Sequence, residues 1–312
     1  MITVLRTAAG SPVAPFIIKE LKNIGCRVIA ADIDRYSCGF PFADKSYSVS
    51  TVRSDSYLNE ILDICLKEKV DIFFPDLDEE LLLMARNHSK FEKIGTKLLL
   101  SELGQIEICV DKWKTYNFLR ECEVPVPYSW DLDVSQDIDK FPLLLKPKYG
   151  RGSKGIVKII DPTELKNFNI SGYIAQEFLE GTEYTIDVLS DFKGNYLYSS
   201  IRERMATDSG ISVKGRTIEN SEITGYVKTA CNVLKLKGPT CFQCIVTFTG
   251  KIGFIEINPR IAGTVALSVM AGAPIVSDSI KTAMNEKVEK PINYHFNVVM
   301  ARYWEEVKLD VL

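Results

Sequence analysis

The chain has 312 residues, of which 46% are hydrophobic and 25% are charged, and its formal net charge is −3. This composition is typical of a globular protein with about two or three lobes, and so small a charge excludes nucleic-acid binding through bulk electrostatics. No apolar run reaches the roughly 18 residues that a membrane span requires. The segment Met1–Arg6 lacks the basic and apolar regions of a signal peptide. We therefore expect a cytoplasmic protein that binds neither nucleic acid nor membranes.

The N-terminal third alternates strands and helices with short loops, which predicts a parallel, Rossmann-like sheet. The turn after the first strand has only Gly10 before the helix, so it lacks the GxGxxG pattern of dinucleotide-binding proteins. Asp32, at the end of the second strand, is interpreted as a polar strand-end cap or as a contact to a substrate other than a nucleotide. The predicted strands are 2–6, 27–32, 70–75 and 97–100, and the predicted helices are 13–21, 57–67 and 81–87.

A connecting helix is predicted over 111–121, and a basic, glycine-rich loop follows it. The apolar strand 141–148 ends in Lys146 and Lys148, and the loop 149–155 leads into the strand 156–160. Glycine allows backbone N–H groups to turn inward and hold phosphate oxygens. We favour a phosphate-binding loop over a solvated surface loop because Lys146 precedes it on an ordered strand.

The second half of the chain reads mainly as antiparallel strands. A meander is predicted over 173–202, a polar segment over 202–216, and a helix over 221–234. A final hairpin joins the strands 238–248 and 251–258 around Thr249-Gly250. Cys241 and Cys244, a CxxC pair in this hairpin, are interpreted as structural thiols, because the chain has only two histidines to complete a zinc site. The eight cysteines show no paired spacing, which is typical of reduced thiols.

The last strand ends in the stretch Gly253–Arg260, which carries a carboxylate, an amide and a cation. Strict alternation places Phe254, Glu256 and Asn258 on one face and the isoleucines at 255 and 257 on the other, against the core. Carboxylate and amide oxygens suit a hard cation such as Mg²⁺. Pro259 ends the strand, so Arg260 lies just beyond the end of the strand. By itself the stretch is compatible with a metal-nucleotide site or with a solvated edge strand.

Taken in order, these elements resemble the ATP-grasp fold. The likeness is greatest to the ATP-binding domains of the carbamoyl-phosphate synthase large subunit, and biotin carboxylase is a more distant relative. The resemblance is based on four elements: the segment 145–148 with its glycine loop, the segment 176–183, Gln243, and the segment 256–260. The resemblance implies an α/β and α+β protein with an N-terminal Rossmann-like (pre-ATP-grasp) domain over 1–108, a connecting helix and lid subdomain over 109–176, and a C-terminal subdomain with the metal site over 177–312.

The resemblance also implies residue roles. Lys112 and Lys146 would contact nucleotide phosphates, and the loop residues Gly150, Gly152, Ser153 and Gly155 would cover them as a lid. The hinge Glu177-Phe178-Leu179 would hold the adenine, with Glu183 on the ribose. Arg260, Lys146 and Arg204 would be catalytic, with Arg260 stabilising the transferring phosphoryl group; Arg202 and Lys214 are further phosphate or carboxylate candidates. The metal ligands would be Gln243, Glu256 and Asn258. The implied cofactors are ATP and Mg²⁺, with Mn²⁺ as a possible substitute.

The family chemistry implies an ATP-dependent ligase that activates a carboxylate as an acyl phosphate for capture by an amine or ammonia. The alternatives are a phosphotransferase that does not ligate and a non-catalytic nucleotide-binding protein. The partners would be a small carboxylate and a small amine, and a homodimer is possible. The substrate would lie between the strand ends of the N-terminal domain and the nucleotide. Gly10, Ser11, Asp32 and the acids of 76–79 would line it, although these acids are better explained as the start of a helix.

Overall fold

In the computed structural model, the strands of the described residues form three sheets. The described ranges are 1–135, 137–150, 152–166, 168–208 and 210–309. The sheets follow one another in chain order, and the predicted domain limits stay predictions; the strand Tyr173–Glu177 of the middle sheet crosses the predicted limit at 176.

The N-terminal sheet is parallel, as predicted. Its strands are β1 (Thr3–Arg6), β2 (Arg27–Asp32), β3 (Lys45–Ser48), β4 (Ile72–Phe74) and β5 (Lys97–Leu98). Its helices are α1 (Ala14–Asn23), α2 (Tyr57–Glu68), α3 (Asp78–Arg86), α4 (His88–Lys93) and α5 (Leu103–Val110). The strand order β3-β2-β1-β4-β5 reverses direction between β1 and β4, so the carboxyl ends of these two strands form the crevice where such sheets bind ligands. The sequence prediction missed β3 because its residues are polar and largely exposed.

The middle sheet is antiparallel and carries the glycine loop. Its strands are β6 (Ser129–Asp131), β7 (Leu143–Pro147), β8 (Val157–Ile159) and β9 (Tyr173–Glu177), in the order β6-β9-β7-β8. The predicted hairpin is the pair β7–β8. The helices are α6 (Lys112–Glu121) and α7 (Pro162–Leu165). Asp111 caps α6 by accepting hydrogen bonds from the N–H groups of Trp113 and Lys114, which fixes Lys112 at the first helical position.

The C-terminal sheet is antiparallel, with the order β14-β13-β10-β11-β12-β15. Its strands are β10 (Gly181–Ser190), β11 (Tyr196–Asp208), β12 (Ile211–Ile218), β13 (Gly238–Thr247), β14 (Ile252–Asn258) and β15 (Val299–Ala301). The accompanying helices are α8 (Ser221–Leu234), α9 (Ala266–Met270) and α10 (Ile275–Ala283). The polar segment predicted over 202–216 is in fact part of β11 and β12. Its charged side chains form cross-strand pairs, such as Arg216 with Glu203 at 2.6 Å, which the sequence pattern does not reveal.

A β-bulge corrects the predicted faces of β14. Cys244 pairs with Phe254 and Gln243 pairs with Glu256, so Ile255 is an extra residue on β14. An extra residue shifts the alternation by one position. Phe254 and Ile257 therefore both lie in the hydrophobic core, whereas Ile255 is only partly buried. The predicted assignment of Phe254 to the face of Glu256, and of Ile255 to the core, is wrong for this reason.

One hydrophobic core joins the two ends of the chain. Ile17 and Ile18 of α1 share a buried cluster with Ile275, Val276 and Ile280 of α10, so the N-terminal sheet packs directly against the C-terminal part of the chain. No helix in the described part of the chain is both long and apolar enough to cross a membrane.

The cysteines are unpaired and mostly buried. All eight are free thiols, and burial raises the pKa of Cys241 and that of Cys244 to about 12. Protonated thiols are poor nucleophiles and poor metal ligands. Within the described ranges, no group of three or more His, Cys, Asp or Glu side chains is placed to hold a metal ion. Both observations agree with the interpretation of the CxxC pair as structural.

We predict that Phe254→Ala lowers the free energy of unfolding of the C-terminal lobe by about 3–5 kcal/mol, because it leaves a cavity against Phe242. Urea denaturation measures this change. Phe248→Ala is the matched control: Phe248 follows β13 and is 81% exposed, so its removal should leave the denaturation curve unchanged. An equal effect of the two substitutions would contradict the register of β14.

Candidate functional site

A cavity of about 250 Å³ lies between the middle and C-terminal sheets. It is lined by side chains from β7, β9, β10, β11, β13 and β14, together with the glycine loop. The predicted site residues among them are Lys112, Lys146, Gly150, Gly152, Ser153, Glu177, Leu179, Glu183, Arg204, Gln243 and Glu256. The fold thus gathers eleven predicted residues, from distant parts of the sequence, around one space.

Lys146 is a buried cation in this cavity. Its side chain is only 5% exposed, and its Nζ donates a hydrogen bond of 2.6 Å to Oε1 of Gln176, whose amide in turn donates to Ser129 at 3.1 Å. Burial lowers the pKa of Lys146 to about 8, partly offset by the Glu256 carboxylate. Lys146 forms no ion pair with any described residue. A buried cation held by a neutral amide is prepared to bind an anion.

The glycine loop closes one side of the cavity. Nζ of Lys112 donates a hydrogen bond of 2.8 Å to the carbonyl oxygen of Gly150, which holds the loop against the start of α6. Gly150, Gly152 and Ser153 line the cavity and all have positive φ angles. Gly155 does not line it; at φ 75° its missing Cβ would lie 3.0 Å from Pro147. Arg151, also in the predicted loop, lies outside the described residues.

The hinge residues divide between the cavity and the surrounding structure. Glu177 and Leu179 line the cavity. Phe178 does not: its ring packs under Nζ of Lys158, 3.7 Å from the ring centroid, and its N–H donates to the carbonyl of Pro142 at 3.2 Å. The N–H of Glu177 likewise donates within the protein, to Tyr128 at 2.8 Å. Leu179 is therefore the hinge residue best placed to face a ligand.

The cavity also has apolar walls, of which the sequence analysis predicted only Leu179. They come from both sheets and from the residue after the glycine loop, and could enclose a flat aromatic ring. Leu144 and Ile245 each lie two residues from a predicted polar site residue on the same strand, so strand alternation could have identified them. Ile255 could not be identified in this way because of the bulge. The apolar wall residues are Leu144, Ile156, Leu179, Ile245 and Ile255.

Glu183 and Arg204 both face the cavity and form an ion pair with each other. Nη1 of Arg204 donates to Oε1 of Glu183 at 2.6 Å, and Nη2 donates to the carbonyl of Gly210 at 2.7 Å. Burial raises the pKa of Glu183, and Arg204 partly offsets this effect. The predicted contact between Glu183 and a ribose would compete with this ion pair.

Gln243 and Glu256 lie opposite each other on paired strands. With its nitrogen oriented towards Glu256, the Gln243 amide donates to Oε2 at 2.8 Å, and its oxygen accepts a hydrogen bond from Arg204 at 3.3 Å. Only 9% of the surface of Asn258 is exposed. It lines a second cavity of about 180 Å³, which shares Glu256 with the first. These residues offer one carboxylate and two amide oxygens, a donor set that fits Mg²⁺.

The second cavity adjoins the first. Both are lined by Lys112, Gly150 and Glu256, so ligands in the two cavities would meet beside Glu256. Its remaining wall comes partly from the N-terminal domain, through Asp78 and Glu79 in the first turn of α3. The acids of 76–79 begin a helix, as preferred from the sequence, and in addition Asp76 forms a buried ion pair with Arg6 at 2.7 Å.

Three predicted cations and Asp32 lie outside both cavities. The Arg260 guanidinium bonds to Asp78 at 2.5 and 3.1 Å. Arg202 is fully buried and forms a bidentate pair with Asp187 at 2.7 and 2.8 Å, so the proposed ligand contact of Arg202 is wrong. Lys214 is exposed and lines neither cavity. Asp32 accepts a hydrogen bond of 2.7 Å from the N–H of Gly10, which agrees with the strand-end cap.

The sequence of the chain matches two family models. Residues 109–264 match the ATP-grasp domain, and residues 7–99 match the PylC-like N-terminal domain. Among curated proteins, the chain is similar to the carbamoyl phosphate synthase large chains of Clostridium beijerinckii (26% identical over 320 residues) and Clostridium perfringens (25% over 308 residues). These alignments cover 94% and 91% of this chain, but only 29% and 28% of the relatives. The chain thus spans less than a third of their length.

Among solved structures, the chain is similar to the biotin carboxylase domain of Hydrogenobacter thermophilus 2-oxoglutarate carboxylase, solved with MgADP and bicarbonate. The TM-score is 0.79 at 20% identity, covering 96% of this chain and 73% of that one. N5-carboxyaminoimidazole ribonucleotide synthetase from Thermotoga maritima gives a TM-score of 0.72 at 20% identity, covering 96% and 79%. Such low identities show a shared fold. Because the ATP-grasp domain match extends over half of the residues, this chain belongs to the ATP-grasp family.

Proposed function

We propose that the chain is an ATP-dependent ligase that activates a carboxylate as an acyl phosphate, which an amine or ammonia then captures. The observation that carries this proposal is that the buried Lys146 and the partly buried Glu256 lie on opposing sheets of one cavity, which the glycine loop also lines. A cation, a carboxylate and a glycine-rich loop suit the binding and transfer of a phosphoryl group. Membership of the ATP-grasp family supports the same assignment.

The nucleotide would occupy the first cavity. The apolar side chains of Leu144, Ile245 and Ile255 would enclose the adenine, and Lys112 and Lys146 would neutralise the phosphates. Glu183 would exchange its bond with Arg204 for the ribose hydroxyls. Gln243, Glu256 and Asn258 would hold Mg²⁺, which would offset the negative charge of the phosphates. With one carboxylate among these ligands, we expect weak metal binding until the nucleotide adds its own oxygens.

The acceptor carboxylate would occupy the second cavity, beside Glu256. An oxygen of the carboxylate attacks the γ-phosphorus, the bond from that phosphorus to the bridging oxygen breaks, and ADP leaves. The amine then attacks the acyl carbon and releases phosphate. The closed glycine loop, bonded to Lys112, excludes water that would hydrolyse the intermediate.

The solved biotin carboxylase domain of Hydrogenobacter thermophilus is a dimer, and the present chain is proposed to form a homodimer as well.

A screen of carboxylates crossed with amines tests the function. A ligase releases ADP and inorganic phosphate in equal amounts, with an amide or related product in the mass spectrum. ADP without phosphate would indicate the phosphotransferase instead. ATP binding without ADP release from any pair would indicate a non-catalytic nucleotide-binding protein.

Glu256→Gln should lower ADP release about a hundredfold, because the carboxylate of the metal site is lost while the volume is kept. Steady-state kinetics at saturating Mg²⁺ measures this. The control is Glu180→Gln, which removes an exposed acid outside both cavities and should leave turnover unchanged. Full turnover in the Glu256→Gln enzyme would refute the site.

The affinity for MgATP should depend on the protonation of Lys146. Its pKa is lowered to about 8 in the ligand-free protein, and phosphate binds the charged form. Affinity should therefore be constant below about pH 8 and fall up to about tenfold per pH unit above it, until the higher pKa of the ATP-bound state is reached. Calorimetric titrations between about pH 7 and about pH 9.5 check this.

Lys146→Arg provides the matched control, because a guanidinium stays charged throughout that range. This variant should bind MgATP with an affinity that does not change with pH. The same loss of affinity at high pH in both proteins would assign the titration to another group.

A further inference from the structure

The predicted phosphoryl-binding cation, Arg260, is held by a residue of the N-terminal domain. Nε of Arg260 donates to Oδ1 of Asp78 at 2.5 Å, and Nη2 donates to Oδ2 at 3.1 Å. A third bond, from Nη1 to the carbonyl of Ile261, measures 3.1 Å. The two charged side chains are 182 positions apart in the sequence, so this contact exists only when the N-terminal domain packs against the end of β14.

The pairing leaves part of the guanidinium available for a ligand. An arginine carries five N–H donors in a planar fork. Arg260 uses the single hydrogen on Nε and one on each of its terminal nitrogens. One N–H on Nη1 and one on Nη2 have no bond to a described residue. The bidentate pair of Nε and Nη2 with Asp78 fixes the plane in which these two N–H groups lie.

The position of the pair links it to both cavities. Asp78, Asn258 and Pro259 line the second cavity, and Arg260 follows directly on Pro259. The second cavity in turn meets the first at Glu256. Arg260 itself lines neither cavity, but its guanidinium is bonded to Asp78, a wall residue of the second cavity, and so lies next to the region where the γ-phosphoryl group and the acceptor carboxylate would come together.

Among the described residues, the Asp78 side chain is bonded to Arg260 alone. α3 has no side-chain cap, and its first turn contains two more acids, Glu79 and Glu80, that complement the helix dipole. Asp76, the nearest alternative partner for Arg260, is bonded to the fully buried Arg6. Both carboxylate oxygens of Asp78 are directed to Arg260.

We propose that Asp78 is a positioning residue that orients Arg260 to bind an anionic group, either the γ-phosphoryl group or the acceptor carboxylate, so that the N-terminal domain completes the phosphoryl-transfer site. The inference rests on the proposed function for its chemistry. Its first test, however, needs only nucleotides and does not depend on finding the substrates.

The first arm of the test compares affinities for MgATP and MgADP by calorimetry. If Arg260 binds the γ-phosphoryl group, Asp78→Asn and Arg260→Lys each lower the affinity for MgATP about tenfold, the loss of one charge-assisted contact, and leave that for MgADP unchanged. Asp78→Glu keeps the carboxylate and restores at least part of the preference for ATP. If Asp78 only stabilised the fold, its substitution would weaken the binding of both nucleotides equally, or of neither.

The second arm uses steady-state kinetics with an acceptor from the carboxylate screen. If Arg260 binds the carboxylate, Asp78→Asn raises its KM about tenfold, while the KM for ATP and both nucleotide affinities stay unchanged. A combined Asp78→Asn, Arg260→Lys variant should then be no worse than Arg260→Lys alone, because the two residues act as one unit.

The matched control is Glu102→Gln. Glu102 also joins the N-terminal domain to the C-terminal part of the chain, through an ion pair with Lys237, and it lines neither cavity. Its removal should leave every affinity and rate unchanged. This control distinguishes the positioning of Arg260 by Asp78 from a general effect of losing an ion pair between the domains.

The proposal is overturned if Asp78→Asn matches the wild type in both arms, or if Glu102→Gln produces the same changes. If Asp78→Asn does not fold, the variants Asp78→Glu and Arg260→Lys test the proposal instead. It is also overturned if wild type and Arg260→Lys show the same preference for MgATP over MgADP and the same KM values. A wild type that prefers ATP through Asp78 but releases no ADP would instead contradict the proposed function and leave this inference standing.

Discussion

A lysine buried between two sheets is the constraint on which the rest of the site depends. Lys146 has a neutral amide as its direct partner and no carboxylate bonded to it among the described residues. An unpaired buried charge is unfavourable, and here the carboxylates of Glu256 and Glu183 support the charged form only from across the cavity. An anionic ligand would offset this unfavourable energy. The arrangement that destabilises the protein without a ligand therefore favours phosphate binding.

The surrounding structure keeps that charge in place. Gln176 is fixed by Ser129, and Ser129 donates to the carbonyl of Pro127 at 3.1 Å, so the Lys146 ammonium is held by a chain of buried groups. Opposite it, the pairing of β13 with β14 places Gln243 beside Glu256. The site is therefore a product of two sheets, each of which needs its own core to hold one half of it.

The sequence predicted the elements of the fold well wherever apolar periodicity was strong. The parallel N-terminal sheet, the hairpin around the glycine loop and the final hairpin are all confirmed. The polar strands β3, β11 and β12 were missed in whole or in part because they lack apolar alternation. β3 is largely exposed, and cross-strand ion pairs such as Arg216 with Glu203 contribute to β11 and β12. Eleven residues that line the first cavity were predicted, mostly from the resemblance of four motifs to the ATP-grasp family rather than from strand alternation.

What the sequence could not supply were features that arise from packing between distant segments. The bulge at Ile255 exchanges the faces of Phe254 and Ile255 and is visible only in the strand register. Arg202 and Arg204 alternate onto the same face, yet Arg202 is bonded to Asp187 and to Thr264, whereas Arg204 faces the cavity. The pair of Asp78 with Arg260 likewise depends on how the domains meet.

The central claim is that a carboxylate oxygen attacks the γ-phosphorus of ATP. An acceptor acid labelled with ¹⁸O in its carboxylate tests this most directly, with mass spectrometry of the inorganic phosphate released during turnover. If the acid attacks in this way, one ¹⁸O atom is transferred from the acid to each phosphate. Phosphate that carries only solvent or ATP oxygen, formed at the same rate, would contradict acyl-phosphate formation at this site.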